Sequence, residues 1–117
     1  MKKRTNRLYI QDMFLSVEKI EKYTFGLTFE DFTKSEMVVD AVSRNFEIIG
    51  EAANHVSENI KEKHNEFPWK EIIALRNLAI HEYFGIDFDI IWKIIQNDLP
   101  VTKSRLLNMI QSKDLDE

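Results

Sequence analysis

Val38-Val39-Asp40-Ala41-Val42-Ser43-Arg44-Asn45-Phe46-Glu47-Ile48-Ile49-Gly50-Glu51-Ala52-Ala53 reads as a helix with one face turned to a core. Val38, Val39, Val42, Phe46, Ile49 and Ala53 recur at three-to-four spacing, and Val56 and Ile60 continue the series. That period belongs to an amphipathic α-helix, expected here over about 35–63. Asp40, Arg44, Glu47, Glu51 and Glu58 fall along its polar side. Upstream, residues 5–24 predict a first helix with Leu8, Val17 and Ile20 on its apolar face and Gly26 just past its end. The connection over 28–35 includes Phe29 and Phe32. Downstream, Phe67-Pro68-Trp69 opens a third helix, with Pro68 near the first helical position, where its missing N–H is harmless. That helix is expected to end near Gly85. Asp87 suits the N-cap of a fourth helix over 88–97; Pro100 then breaks or restarts the chain, and a fifth helix runs to about Gln111. With three Gly, two Pro and no strand signal, the pattern predicts an all-α bundle of about five helices.

The 117 residues suit one domain spanning 1–117, with a core that needs no staples. No internal repeat is visible, and the acidic tail over 113–117 is expected to fray. Apolar residues at 44% and charged residues at 31% are ordinary for a soluble globular protein. The absence of Cys excludes disulfide and thiolate chemistry and fits a reducing cytoplasmic setting. No segment approaches the roughly 20 apolar residues of a membrane span. A net charge of −4 weighs against a broad nucleic-acid-binding face. It leaves room for an enzyme with a local cationic site.

The third helix carries Arg76-Asn77-Leu78-Ala79-Ile80-His81-Glu82-Tyr83, which sets a fixed cation, a near-neutral proton carrier and a phenol inside an apolar segment. At about 100° per residue, Arg76 and Tyr83 fall within roughly 20° of one face. Ile72, Ala79 and Ile80 share that side, so Arg76 sits in an apolar arc and needs a carboxylate, a phosphate or an interface. Glu47 or Glu51 could hold it in a bidentate pair; the competing reading is a solvated stripe of intrahelical ion pairs. His81 lies about 140° around the helix from Arg76. A straight helix cannot aim both at one small ligand. Either the helix distorts near Gly85, or two subunits contribute, which predicts a symmetric dimer with the motif at its seam.

Taken in order, several segments resemble the HepT-like toxins, a branch of the HEPN superfamily of small helical ribonucleases. Asp40-Ala41-Val42-Ser43-Arg44 and Glu47-Ile48-Ile49-Gly50-Glu51-Ala52 match that family's central helix. Phe67-Pro68-Trp69, the 76–83 motif, Tyr83-Phe84-Gly85-Ile86-Asp87, Trp92-Lys93-Ile94-Ile95 and Asp98-Leu99-Pro100 follow. The resemblance covers nearly the whole chain. It implies a HEPN-type fold that dimerises so that two motifs line one cleft, with Arg76 and His81 catalytic in metal-independent RNA cleavage. Asn77 corresponds to the polar residue typical after the Arg. The resemblance further implies an MntA-type nucleotidyltransferase antitoxin that adds AMP to Tyr83, with tRNA as the leading substrate. No cofactor is expected.

The bland readings remain beside this one. His81 alone reads as a surface or packing histidine, Tyr83 as a core-edge aromatic, and Arg76 as half of a structural ion pair. His55, His64 and His81 lack metal-ligand spacing. Two rival functions follow: a non-catalytic HEPN module that serves a nucleotidyltransferase, and a plain helical interaction domain. Asp40, Arg44, Glu47 and Glu51 are supporting candidates only if their stripe faces the motif.

Overall fold

A computed structural model describes residues 4–80 and 87–116. Among the described residues there is no strand, and the all-α expectation holds. The long first helix, α1 (Asn6–Thr24), starts at the Thr5 N-cap, whose hydroxyl accepts the Leu8 N–H. Gly26, at φ +77°, follows its end. The stretch expected as a mere connection forms a short helix, α2 (Phe29–Lys34). A reciprocal capping box between Thr28 and Asp31 starts it, a Lys34–Glu30 pair spans its turn, and Phe32 anchors it, fully buried.

The expected 35–63 helix is two helices. α3 (Glu36–His55) ends where Val56 turns extended, and Ser57 caps α4 (Glu58–Lys63) by accepting the Ile60 N–H. The Ser57 N–H donates to Asn6 Oδ1 at 2.9 Å, and the Asn6 amide donates back to Ser57 Oγ at 3.2 Å. This clamp to α1 satisfies the backbone group freed at the break.

The third expected helix is also divided, into α5 (Trp69–Ile73) and α6 (Leu75–Ile80), with Ala74 between them. Pro68 is the N-cap of α5, one position earlier than expected. The predicted end near Gly85 falls outside the described residues.

Asp87 caps α7 (Phe88–Lys93) as expected, accepting the N–H groups of Asp89 and Ile90. Pro100 does not end the helical path. A wider π-type turn over Ile94–Asp98 leads directly into α8 (Leu99–Gln111), with Pro100 in its first turn. Proline lacks an N–H and crowds the carbonyl four residues back, here Gln96; the widened turn relieves that crowding. The tail expectation also changes. Lys113–Asp116 forms a 3₁₀ turn, Leu115 is buried, and Asp114 Oδ2 lies 3.4 Å from His64 Nε2.

α1 packs along α3 and α8, while α3 also receives α2, α5 and α6. The Asn6–Ser57 clamp makes α1 and α3 antiparallel, and Arg7 bonded to the Ile110 and Ser112 carbonyls does the same for α1 and α8. Ile10, Met13, Val17 and Ile20 from α1 meet Val42, Phe46, Ile49 and Ala53 from α3 in one core. Each large side chain buried there stabilises the fold by roughly 1.5–3 kcal/mol. α3 is therefore the scaffold against which the motif segment is set.

Candidate active site

The motif segment crosses α3 at Gly50. A β-carbon there would lie 2.8 Å from both the Arg76 nitrogen and the Ile73 carbonyl oxygen, and 2.9 Å from the Arg76 β-carbon. Backbone atoms cannot yield as a flexible side chain can, so only glycine admits this approach. The contact falls across Ala74, where α5 gives way to α6. Close packing at Gly50 thus fixes the base of Arg76 next to the polar side of α3.

One residue further along α3, Glu51 Oε2 accepts a hydrogen bond from Arg76 Nη1 at 3.2 Å. The sequence left Glu47 and Glu51 open as partners; the pairing goes to Glu51, through one oxygen and not the two of a bidentate fork. Glu51 Oε1 lies 3.3 Å from His55 Nε2, one turn on. His55 in turn stacks on Tyr9 of α1, with ring centroids 5.4 Å apart and planes 20° from parallel. The Arg4 guanidinium lies 5.5 Å from the Tyr9 ring centre and pairs with Asp12. Arg76 and Glu51 are 34% and 52% exposed, so their ion pair contributes about 0–1 kcal/mol. Its consequence is orientation more than stability.

The other stripe residues divide. Arg44 and Glu47 pair with each other at 2.9 Å, as an exposed intrahelical pair would. Both line a groove of about 220 Å3 with Tyr9, Asp12, Glu51 and His55. Asp40 is exposed and eleven residues before Glu51, about 16 Å along the axis, so it is not brought to Arg76. Asn77 is exposed on α6, while Ile72 and Leu75 are buried on the side facing the core. His81 and Tyr83 lie outside the described residues. Among the described residues no group of His, Asp and Glu is arranged to hold a metal ion. None of their helices is long and apolar enough to cross a membrane.

Two participants went unnoticed in the sequence. The Glu51–His55 spacing of four residues was a visible signal for a helical pair. Tyr9 had none, because its approach to His55 depends on how α1 packs.

Chemically, Arg76 offers a guanidinium anchored through one N–H to Glu51, whose side chain belongs to the groove lining. Such a cation suits a phosphate, which accepts from the same planar fork. Residues 13–109 match the family described as ribonuclease HepT-like. A Methanocaldococcus jannaschii protein named "Putative RNase MJ1380" is 37% identical over 91% of this chain and 97% of its own length. The Thermococcus cleftensis protein named "Probable ribonuclease HepT" is 38% identical over 88% of this chain and 94% of its own. A longer M. jannaschii relative, named "Gamma-glutamylcyclotransferase and putative RNase MJ0434", is 37% identical over 92% of this chain, which spans 49% of that protein's length. No solved structure matches. The central α3 scaffold, the Arg76 segment crossing it and these matches agree: the chain belongs to the HepT-like ribonuclease family.

Proposed function

We propose that the protein is a metal-independent RNA endonuclease of a toxin–antitoxin pair, acting through Arg76 and His81. The observation that carries this reading is the state of Arg76. Its backbone and β-carbon pack closely against Gly50, and its guanidinium is held by a single Glu51 oxygen, leaving the rest of its fork outside that contact. In RNA the 2′-OH is an internal nucleophile. His81 takes its proton as the O2′–P bond forms, and a proton delivered to the 5′-oxygen accompanies cleavage of the P–O5′ bond. General acid–base help of this kind is typically worth about 10²–10⁴-fold. Arg76 stabilises the charge that builds on the crowded phosphorane. A homodimer with two motifs at one cleft supplies one His81 as base and the other as acid.

Regulation follows from Tyr83 by the same reading. An MntA-type nucleotidyltransferase partner transfers AMP from ATP to its hydroxyl, the new O–P bond replacing the α–β phosphoanhydride as pyrophosphate and the phenol proton leave. The added phosphate sits against the Arg76 cation and closes the cleft. tRNA is the proposed substrate and the cytoplasm the proposed setting. The test is incubation of purified protein with a tRNA pool in excess chelator. Wild type is expected to yield fragments ending in 2′,3′-cyclic phosphate, and His81→Ala to yield none at equal soluble concentration. Equal inactivity of both proteins would favour the non-catalytic module. Full cleavage by Tyr83-adenylylated protein would remove the regulatory half.

A further inference from the structure

We infer that His55 is a positioning residue for Arg76, acting through Glu51; the inference rests on the ribonuclease reading above. A carboxylate facing an arginine favours the two-point fork, in which both oxygens accept parallel N–H groups. Glu51 does not adopt it. Its Oε2 is 3.2 Å from Arg76 Nη1, while its Oε1 is 3.3 Å from His55 Nε2. The carboxylate is shared, one oxygen beside the guanidinium and the other beside the imidazole, and Arg76 is held by one contact.

The division depends on the imidazole plane. His55 follows Glu51 by four residues on α3, which places the two side chains on one face. Stacking on Tyr9 at 20° between planes holds the ring in place while its Nε2 lies beside Glu51. The chain Tyr9–His55–Glu51–Arg76 thereby runs from α1 across α3 to α6. Without His55, Glu51 Oε1 is released and closes on the guanidinium as the second point of a fork. Arg76 would then meet the scissile phosphate with one edge occupied and its charge matched.

A purely structural role predicts otherwise. His55 and Glu51 are each 52% exposed, so their contact adds little to stability, and its loss alone would leave cleavage unchanged. The test compares His55→Leu, which removes the N–H, with His55→Gln, which returns an N–H donor near the Nε2 position. His55→Leu is expected to lower kcat about tenfold with KM within about twofold, as removal of a transition-state interaction does. His55→Gln is expected to recover most of the loss. In a Glu51→Gln background, His55→Leu is expected to add no further loss.

A second readout is independent of turnover: the Arg76 Nε–Hε signal in solution NMR. It is expected to move in His55→Leu and to return in His55→Gln. Unchanged kcat with an unmoved signal overturns the inference. So does a tenfold loss that persists in the Glu51→Gln background. Should the wild type cleave no RNA, the ribonuclease reading falls, and the NMR signal alone decides whether His55 positions Arg76.

Discussion

α3 and the α5–α6 pair lie against each other, yet they are built in opposite ways. α3 runs 20 residues without a break and buries Val42, Phe46, Ile49 and Ala53 along one stripe. The segment crossing it is divided into five and six residues on either side of Ala74, and its Arg76 remains a third exposed. Long helices with a buried stripe draw their stability from tertiary packing. Short ones depend on what they rest upon. The comparison shows a division of labour in which α3 supplies the rigidity and the crossing segment supplies the chemistry, with Gly50 as the point of transfer.

Removing the anchor on the rigid side should have the largest effect. Phe46→Ala leaves a cavity beneath a fully buried position and is expected to destabilise the fold by about 3–5 kcal/mol, measured by chemical denaturation. A loss below about 1 kcal/mol would mean that α3 is not the scaffold described here.

Gly50→Ala probes the transfer point. In an open helix this change stabilises by roughly 0.5–1 kcal/mol. Here the new methyl meets the Ile73 carbonyl and the Arg76 nitrogen, and the expected result is a net loss of about 1–3 kcal/mol. Cleavage should fall more than stability does, because the displaced segment carries Arg76. A stabilised and fully active variant would show that the segment does not cross α3 in close contact at Gly50.

Ser57→Ala tests the end of α3. It removes the α4 cap and one half of the Asn6 clamp, and a loss near 1 kcal/mol in thermal melting is expected, with cleavage unaffected. Lys103 gives the smallest effect. Its hydrogen bond to Glu21 raises its pKa above the ordinary 10.5, opposed by desolvation and aided by the charges of Glu21 and Glu18. A raised lysine contributes stability that is complete below its unfolded pKa and lost as pH climbs through the folded value. Lys103→Met should therefore cost below about 1 kcal/mol at neutral pH, since the pair is about one-third exposed, and nothing once pH is well above 10.5.

These contrasts also explain what could be read from the chain. Thr5, Gly26 and Asp87 mark their helix ends by local chemistry, so those ends were legible. The Thr28–Asp31 capping box was visible too, but α2 is six residues long and its anchor Phe32 counts only once α7 is in place, where Phe88 meets it edge-on. The break after His55 is completed by Asn6, 51 residues before Ser57, which no local pattern encodes. Pro100 announced an irregularity and not its form, because a π-type turn and a chain break relieve the same clash. Leu115 looked like part of a charged tail until the core received it.

The site divides along the same line. Arg76 was legible as a cation in an apolar arc that needs a partner. That Glu51 takes it, and Glu47 does not, depends on where the segment crosses α3. Gly50 was readable as a residue and unreadable as a contact, since its neighbours Ile73 and Arg76 lie more than twenty positions away.

The most direct measurement is RNA cleavage by Arg76→Ala, with its melting temperature taken on the same preparation. The Glu51 ion pair is half-exposed, so the fold should lose no more than about 1 kcal/mol. Loss of the cation that meets the phosphorane should lower kcat by about 10²–10³-fold. A folded variant that cleaves RNA at the wild-type rate would contradict the assignment of Arg76 to the chemistry.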